Sequence, residues 1–225
     1  MDISYMVNIL PQLLRYLPIT IYIFILASVL GIALASLVTW LRLKHLPILH
    51  WLLEIYVSFM RATPGIIHIF LVYYGLPVLL RLVGINIGHL SRMLYTVLAL
   101  VLYNGAFISE ILRPAYLAVE ANQREAAMSI GMTKWQANKR IIIPQMLPIA
   151  LPSINNAVVD LLKDTSLLFL IGLVDIMGQA EILIAQNYGV YQLEVYLVVG
   201  LIYWLLCLVI DGAFQGLSRS WSRYL

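Results

Sequence analysis

From Tyr16 to Leu41 the chain carries no charged side chain. A helix over that run would cross about 30 Å of hydrocarbon and pair its own backbone groups where water is absent. Four further apolar stretches repeat the pattern. A second span begins near Trp51 and takes in Ala62 to Leu80. Met93 to Ser109 forms the core of a third, Ile141 to Val159 opens a fourth, and Val195 to Ile210 forms the core of a fifth. Hydrophobic residues make up 62% of the 225 positions and charged ones 11%, whereas a soluble domain is about half apolar. The expected fold is all-α: a polytopic membrane protein with five transmembrane helices in one domain spanning 1–225.

Residues 1–15 do not read as a signal peptide. Asp2 stands where a basic segment belongs, and no small-residue cleavage site follows. Ile3, Met6, Val7, Leu10, Leu13 and Leu14 recur at helical spacing, which predicts an amphipathic helix on the membrane surface. The single Cys207 falls in the fifth span, where a thiol packs as a small apolar group.

Lysine and arginine placement sets the expected orientation. With the N-terminus outside, Arg42, Lys44, Arg113, Arg124, Lys134, Lys139, Arg140, Arg219 and Arg223 lie inside. Arg15, Arg81 and Arg92 lie outside, and Arg61 and Lys163 fall within spans. The C-terminus is then cytoplasmic. The net charge of +3 is thus a topology signal. The basic residues are spread over short loops without a binding fold, so no nucleic-acid partner is expected.

Residues 122–140 form the most polar segment between spans. Asn122 and Glu125 have capping-box spacing, as do Thr133 and Gln136. Gly131 stands between them, where a left-handed helix cap is wanted. Two short helices with a tight hinge are predicted, facing water, and Ala126 and Ala127 would let another backbone approach closely. Such an element fits a chain worked by a soluble partner.

The same stretch resembles a family signature. Glu125-Ala126-Ala127, then Gly131, then Ile141 and Ile143-Pro144 look like the EAA loop of ABC-importer permeases, with Ile143 where Leu is usual before Pro144. Tyr56 to Pro77 resembles the Arg-Gly-Thr-Pro stretch of the polar amino-acid uptake subfamily, with Ala62 for Gly and His68 for Gln. Tyr103 to Arg113 and Leu161 to Ile171 resemble two further blocks. The tail Tyr188 to Trp204 is most similar to cystine permeases. The resemblance covers about residues 15–220. It implies a type I importer permease in a bacterial plasma membrane, a coupling helix at 122–140, and a solute path shared by a dimer of two copies or two homologues. It also implies a cytoplasmic ABC ATPase dimer, which would hold the ATP and Mg, and an extracytoplasmic amino-acid-binding protein. No cofactor is expected in this chain. Glu125, Ala126, Ala127, Gly131, Thr133 and Pro144 would serve the coupling.

Charged and polar residues at membrane depth are costly and therefore informative. Arg61 precedes Thr63-Pro64, where the second span should kink. Arg61 could meet a solute carboxylate or make a structural ion pair. Glu110 could pair with Arg113, three residues on, or with Arg61 as part of a gate. In the fourth span Asn156, Asp160, Lys163 and Asp164 fall along one helical face. Thr165 and Ser166 could cap a new half-helix through Ile171. This cluster could line the solute path or only fix helix packing.

No phosphate-binding loop, His-Glu-x-x-His motif or other catalytic set is present in the sequence. A transport subunit that is not itself an enzyme is expected, with energy from a separate ATPase. The alternative is an ion-coupled secondary transporter or channel subunit using Asp160 and Glu110 as proton sites.

Overall fold

The structure, a computed structural model, describes residues 1–44, 46–119 and 121–221. These residues form helices joined by short connections. In order they are α1 (Ile3–Leu14), α2 (Leu17–Arg42), α3 (Pro47–Ala62), α4 (Gly65–Leu82), α5 (Arg92–Ala118), α6 (Ala121–Ser129), α7 (Lys134–Ile171), α8 (Ile176–Gln186) and α9 (Gln192–Trp221). Five of them, α2, α4, α5, α7 and α9, are long and apolar enough to cross a membrane. Five spans are present as expected, but the second starts at Gly65 and not near Trp51, because the Thr63-Pro64 break sets Trp51 apart in α3.

Helix α5 is the hub. Its N-terminal part contributes Tyr95, Val97, Ala99 and Leu100 to a core with Ile23 and Ala27 of α2, Ile69 and Val72 of α4, and Leu161 and Leu168 of α7. Its later part contributes Ile108, Leu112 and Ala115 to a second core with Ala35 of α2 and Met146, Ala150 and Ile154 of α7. The apolar surface elsewhere faces outward. Tyr22, Val29 and Trp40 of α2 are exposed, as are Leu193, Trp204, Leu205 and Val209 of α9. That reversal of the soluble pattern is what a lipid-facing surface requires.

Close approach of α2 and α5 depends on glycine. A Cβ on Gly105 would stand 2.8 Å from Leu34 Cδ2 and 3.0 Å from its Cγ. Gly105→Leu should therefore pry the pair apart and destabilise the fold by about 1–3 kcal/mol, the usual overpacking cost. Thermal unfolding in detergent measures it, and an unchanged midpoint would contradict this packing.

Two helices widen into π turns, and each widening precedes a proline. Leu71–Gly75 comes just before Pro77, and Asn138–Ile142 just before Pro144. The proline ring lacks an N–H and crowds the carbonyl four residues back, and a wider turn relieves that clash. Pro148 and Pro152 lie inside the same continuous helix, α7, which therefore begins at Lys134 and not near Ile141.

The N-terminal helix is capped by Asp2, whose carboxylate accepts from Tyr5 N–H. Ile9 and Leu13 are buried against Ile176, Ala180, Leu183 and Val198. Ile3 and Val7 remain exposed. The apolar face is thus split: one stripe packs on α8 and α9, and the other is free to meet lipid. Glu194 holds this end, accepting from Asp2 N–H at 3.0 Å and lying 3.7 Å from the terminal amine.

Helix α8 starts at a buried cap. Asp175 accepts from Gly178 N–H at 2.9 Å and from the Thr20 hydroxyl at 3.3 Å. Thr20 Oγ1 in turn accepts from Ile176 N–H. Burial pushes the Asp175 carboxyl up from its ordinary pKa, and these hydrogen bonds pull against that shift.

Candidate functional site

The polar hairpin is built by a Schellman turn and a capping box. Gly131 has φ +86°, a left-handed conformation. Its N–H bonds Met128 O at 3.0 Å, and Met132 N–H bonds Ala127 O at 3.1 Å. This pair of bonds is the Schellman pattern, which satisfies two end carbonyls of α6. At the start of α7, Gln136 N–H donates to Thr133 Oγ1 at 3.3 Å and Thr133 N–H donates to Gln136 Oε1 at 2.8 Å. The second capping box is therefore formed as its spacing predicts. The first is not: α6 begins at Ala121, so Asn122 lies inside its first turn and does not precede the helix. The cap position falls on residue 120, outside the described residues.

The hairpin presents one packed side and one open side. Ala127 and Ala137 are buried. Tyr116 at the end of α5 donates to Asn138 Oδ1 at 3.0 Å and stacks under Arg124 at 5.0 Å. Glu125 and Ala126 face out. So do Met128, Ile130 and Trp135, the last two 74% and 67% exposed. Pro144 sits one turn further on, directly after the π turn.

The second break lies between α3 and α4. Thr63 and Pro64 are extended, with ψ of 147° and 144°, because the residue before proline avoids the helical region. The Thr63 hydroxyl donates to Phe59 O at 2.7 Å and lies 2.6 Å from His68 Nε2. A hydroxyl has one proton, so His68 Nε2 carries the hydrogen of the second bond. The buried His68 ring is 5.2 Å from that of Tyr103. A Cβ on Gly65 would stand 3.7 Å from the Tyr103 ring and 3.8 Å from Asp164 Oδ1. Thr63, His68, Tyr103 and Asp164 thus gather around the start of α4.

The polar face of α7 divides. Asn156, Asp160 and Lys163 are exposed, and Lys163 Nζ pairs with Asp160 Oδ1 at 3.1 Å. Asp164 turns toward Gly65. The expected half-helix at Thr165 and Ser166 is absent. Asp164 and Thr165 keep right-handed helical angles, and the chain runs on as a 3-10 turn to Gly172, φ +77°. Thr165 is buried and its hydroxyl donates back to Leu162 O at 2.7 Å, so it caps nothing. Its amide is already held by the carbonyls of the preceding turn. A new helix instead starts at Gly65, directly after the Thr63-Pro64 break.

Glu110 meets Arg61, one of its two expected partners, but its closest partner was not expected. Arg42 Nη1 donates to its Oε2 at 3.1 Å, and Arg61 Nη1 lies 3.7 Å from the same oxygen. Arg113 is not the partner found there. Arg42 also reaches Glu54 Oε1 with Nε at 3.1 Å and Nη2 at 2.8 Å. Its side chain is 1% exposed, against 50% for Arg61. Arg42 had read as a loop cation marking topology. It is instead the buried centre of a four-charge cluster joining α2, α3 and α5. The sequence signal was weak: Arg42 abuts a charge-free run, which suits an anchor equally well.

The chain matches the family of binding-protein-dependent transport system inner membrane components over residues 27–223. It belongs to that family. It is an amino-acid ABC importer permease and a multi-pass membrane protein. An L-cystine transport system permease, TcyL of Bacillus subtilis, is 36% identical over 95% of this chain and 89% of its own. A probable amino-acid ABC transporter permease, PatM of Vibrio harveyi, is 37% identical over 90% and 88%. The structure of an amino acid ABC transporter with histidines superposes with a TM-score of 0.82 at 26% identity, covering 98% of this chain and 99% of that one. The MetNI methionine transporter shares the fold at 17% identity, with a TM-score of 0.67.

Proposed function

We propose that this permease is the membrane subunit of an ATP-driven importer of polar amino acids, with cystine the best candidate. Two copies, or this chain and a homologue, line one path. The hairpin around Glu125 to Gly131 is the coupling element, seated on a cytoplasmic ATPase dimer that binds the ATP and Mg. A binding protein outside delivers the solute, and the chain itself does no covalent chemistry. The observation that carries this reading is the hairpin: an element closed by a Schellman turn and a capping box, whose outward side combines Glu125 and Ala126 with Met128, Ile130 and Trp135. Exposed apolar groups on a polar hairpin are an interface in search of its partner. Cystine is favoured by the names of two relatives, TcyL and TcyB, the latter 31% identical over 92% of this chain.

The test is a cross-link. Ser129→Cys, on the exposed side of α6, should join to the ATPase subunit in the assembled complex, and more slowly once ATP is trapped or solute is added. No cross-link from position 129 or from Ile130→Cys would overturn the docking. The basic residues favour an outside N-terminus and a cytoplasmic C-terminus. A reporter active only outside, fused after Leu225, should be silent.

For the solute, Asp160 and Asp164 offer acceptors to an ammonium and Arg61 a donor to a carboxylate, with Thr63, Asn156, Lys163, Thr165 and Ser166 around the path and Glu110 as a gate. A charge-assisted hydrogen bond is worth roughly 1.5–3 kcal/mol. Asp160→Asn should therefore weaken solute stimulation of ATP hydrolysis about ten- to hundredfold. An unchanged solute dependence would make Asp160 structural, a partner of Lys163 alone.

A further inference from the structure

Glu110 Oε2 has two suitors. Arg42 donates to it at 3.1 Å from a buried side chain, and Arg61 approaches to 3.7 Å from a half-exposed one. Arg42 is itself fixed, since two of its nitrogens also hold Glu54 Oε1. Glu54 has further neighbours: the His50 ring, with Nε2 at 3.5 Å, and the Arg113 guanidinium acting at longer range. The cluster is therefore asymmetric. If Arg61 leaves, Glu110 keeps a short ionic hydrogen bond. If Arg42 leaves, both carboxylates lose their main partner.

That asymmetry matters because Arg61 sits two residues before the Thr63-Pro64 break, and Gly65 just beyond that break lies beside Tyr103 and Asp164. Breaking an ion pair by removing one partner is costly when the other is left unpaired in a partly desolvated place. Here Arg42 removes that cost in advance.

We infer that Arg42 is a positioning residue for solute binding: it neutralises Glu110 so that Arg61 can exchange Glu110 for the carboxylate of the arriving amino acid. This rests on the reading that the membrane subunit holds the solute through Arg61. Glu110 is then a resting counter-ion, set between two arginines, and it competes with the solute for one of them. The exchange moves a guanidinium between two carboxylates, with no net change of charge in the cluster beyond that of the solute.

The competition gives opposite signs for two substitutions. Arg42→Gln leaves Glu110 dependent on Arg61, which should then be held back from the solute. Glu110→Gln removes the competitor and should free Arg61, while Arg42 stays anchored by Glu54. A cluster that merely held three helices together would be weakened by both.

The experiment measures equilibrium binding of radiolabelled L-cystine to the assembled transporter complex in nanodiscs, without the binding protein. Cystamine, the same skeleton without carboxylates, is the control. Arg42→Gln should weaken L-cystine binding about tenfold, the scale of one charge-assisted contact, and cystamine binding less than about twofold. Glu110→Gln should tighten L-cystine binding by about threefold or more. The double variant should bind L-cystine as Glu110→Gln does, about threefold tighter than wild type, because Arg42 acts only through Glu110. Weaker or unchanged L-cystine binding in Glu110→Gln overturns the exchange, and so does a double variant as weak as Arg42→Gln. If Arg42→Gln does not assemble, the direction of change in Glu110→Gln decides alone. If wild type binds none of L-cystine, L-arginine and L-glutamine, the solute-holding reading fails and the inference falls with it. Wild-type binding that is indifferent to Glu110→Gln overturns the inference only.

Discussion

Gly131→Val should leave the permease in the membrane and reduce solute uptake to below about a tenth of wild type, the effect of losing 1.4 kcal/mol or more from a coupling contact. Space is not the obstacle, since nothing lies within 4 Å of a Cβ built there. The obstacle is the backbone, at φ +86°. A left-handed angle costs an ordinary residue roughly 1–2 kcal/mol and a β-branched one more. Valine should unwind the Schellman turn, freeing Ala127 O and Met128 O from the bonds that fix the angle between α6 and α7. Ile130 and Trp135 would then no longer present one surface. Because the hairpin's outward side is exposed, little of the membrane core depends on it. Glu125→Ala should show the same phenotype through lost contact and not through refolding, since Glu125 is exposed. The check is uptake together with transport-linked ATP hydrolysis at equal membrane abundance. Normal values for both variants would detach this hairpin from coupling.

The second large effect is on folding. Asp175→Ala should destabilise the chain by about 2–4 kcal/mol, combining a lost helix cap with buried donors left unpaired. Gly178 N–H and the Thr20 hydroxyl both lose their acceptor, and Asp175 is fully buried. The consequence spreads, because this cap ties α8 to α2 while α8 supports α1 and α9. Position 178 has no slack to compensate: a Cβ there would stand 2.7 Å from Leu173 O. Asp175→Asn keeps an acceptor for Gly178 and should cost less than half as much. Thermal unfolding of the purified chain in detergent distinguishes the two. Equal midpoints for the alanine and asparagine variants would contradict the capping role.

The spans were legible because hydrocarbon imposes a one-dimensional rule: a long charge-free run must pair its own backbone. Gly131 and the Thr133–Gln136 box were legible because they act over three or four residues. The failures share a cause. Thr165 follows Asp164 as a cap residue might, but its hydroxyl found the carbonyl three residues back and the helix ran on. Glu110 had candidate partners in Arg113 and Arg61, and Arg61 does approach it, yet its closest partner, Arg42, is 68 residues away in sequence. Local spacing has no term for such pairings, which arise only once α2, α3 and α5 are packed together. Asn155 reaching Asp211 at 2.8 Å, from α7 to α9, is another of this kind. Tyr103 lay within a stretch resembling the family but gained meaning only when Gly65 and Asp164 came beside it.

The central claim is that this chain moves an amino acid with energy supplied by a partner ATPase. Uptake of radiolabelled L-cystine into sealed vesicles holding the complete complex tests it, with the binding protein outside and ATP inside. The account predicts accumulation only with hydrolysable ATP and an intact ATPase, and no loss when an ionophore collapses the ion gradients. Accumulation that persists without the ATPase and vanishes with the ionophore would contradict it, and would make Asp160 and Glu110 candidates for proton sites in an ion-coupled transporter.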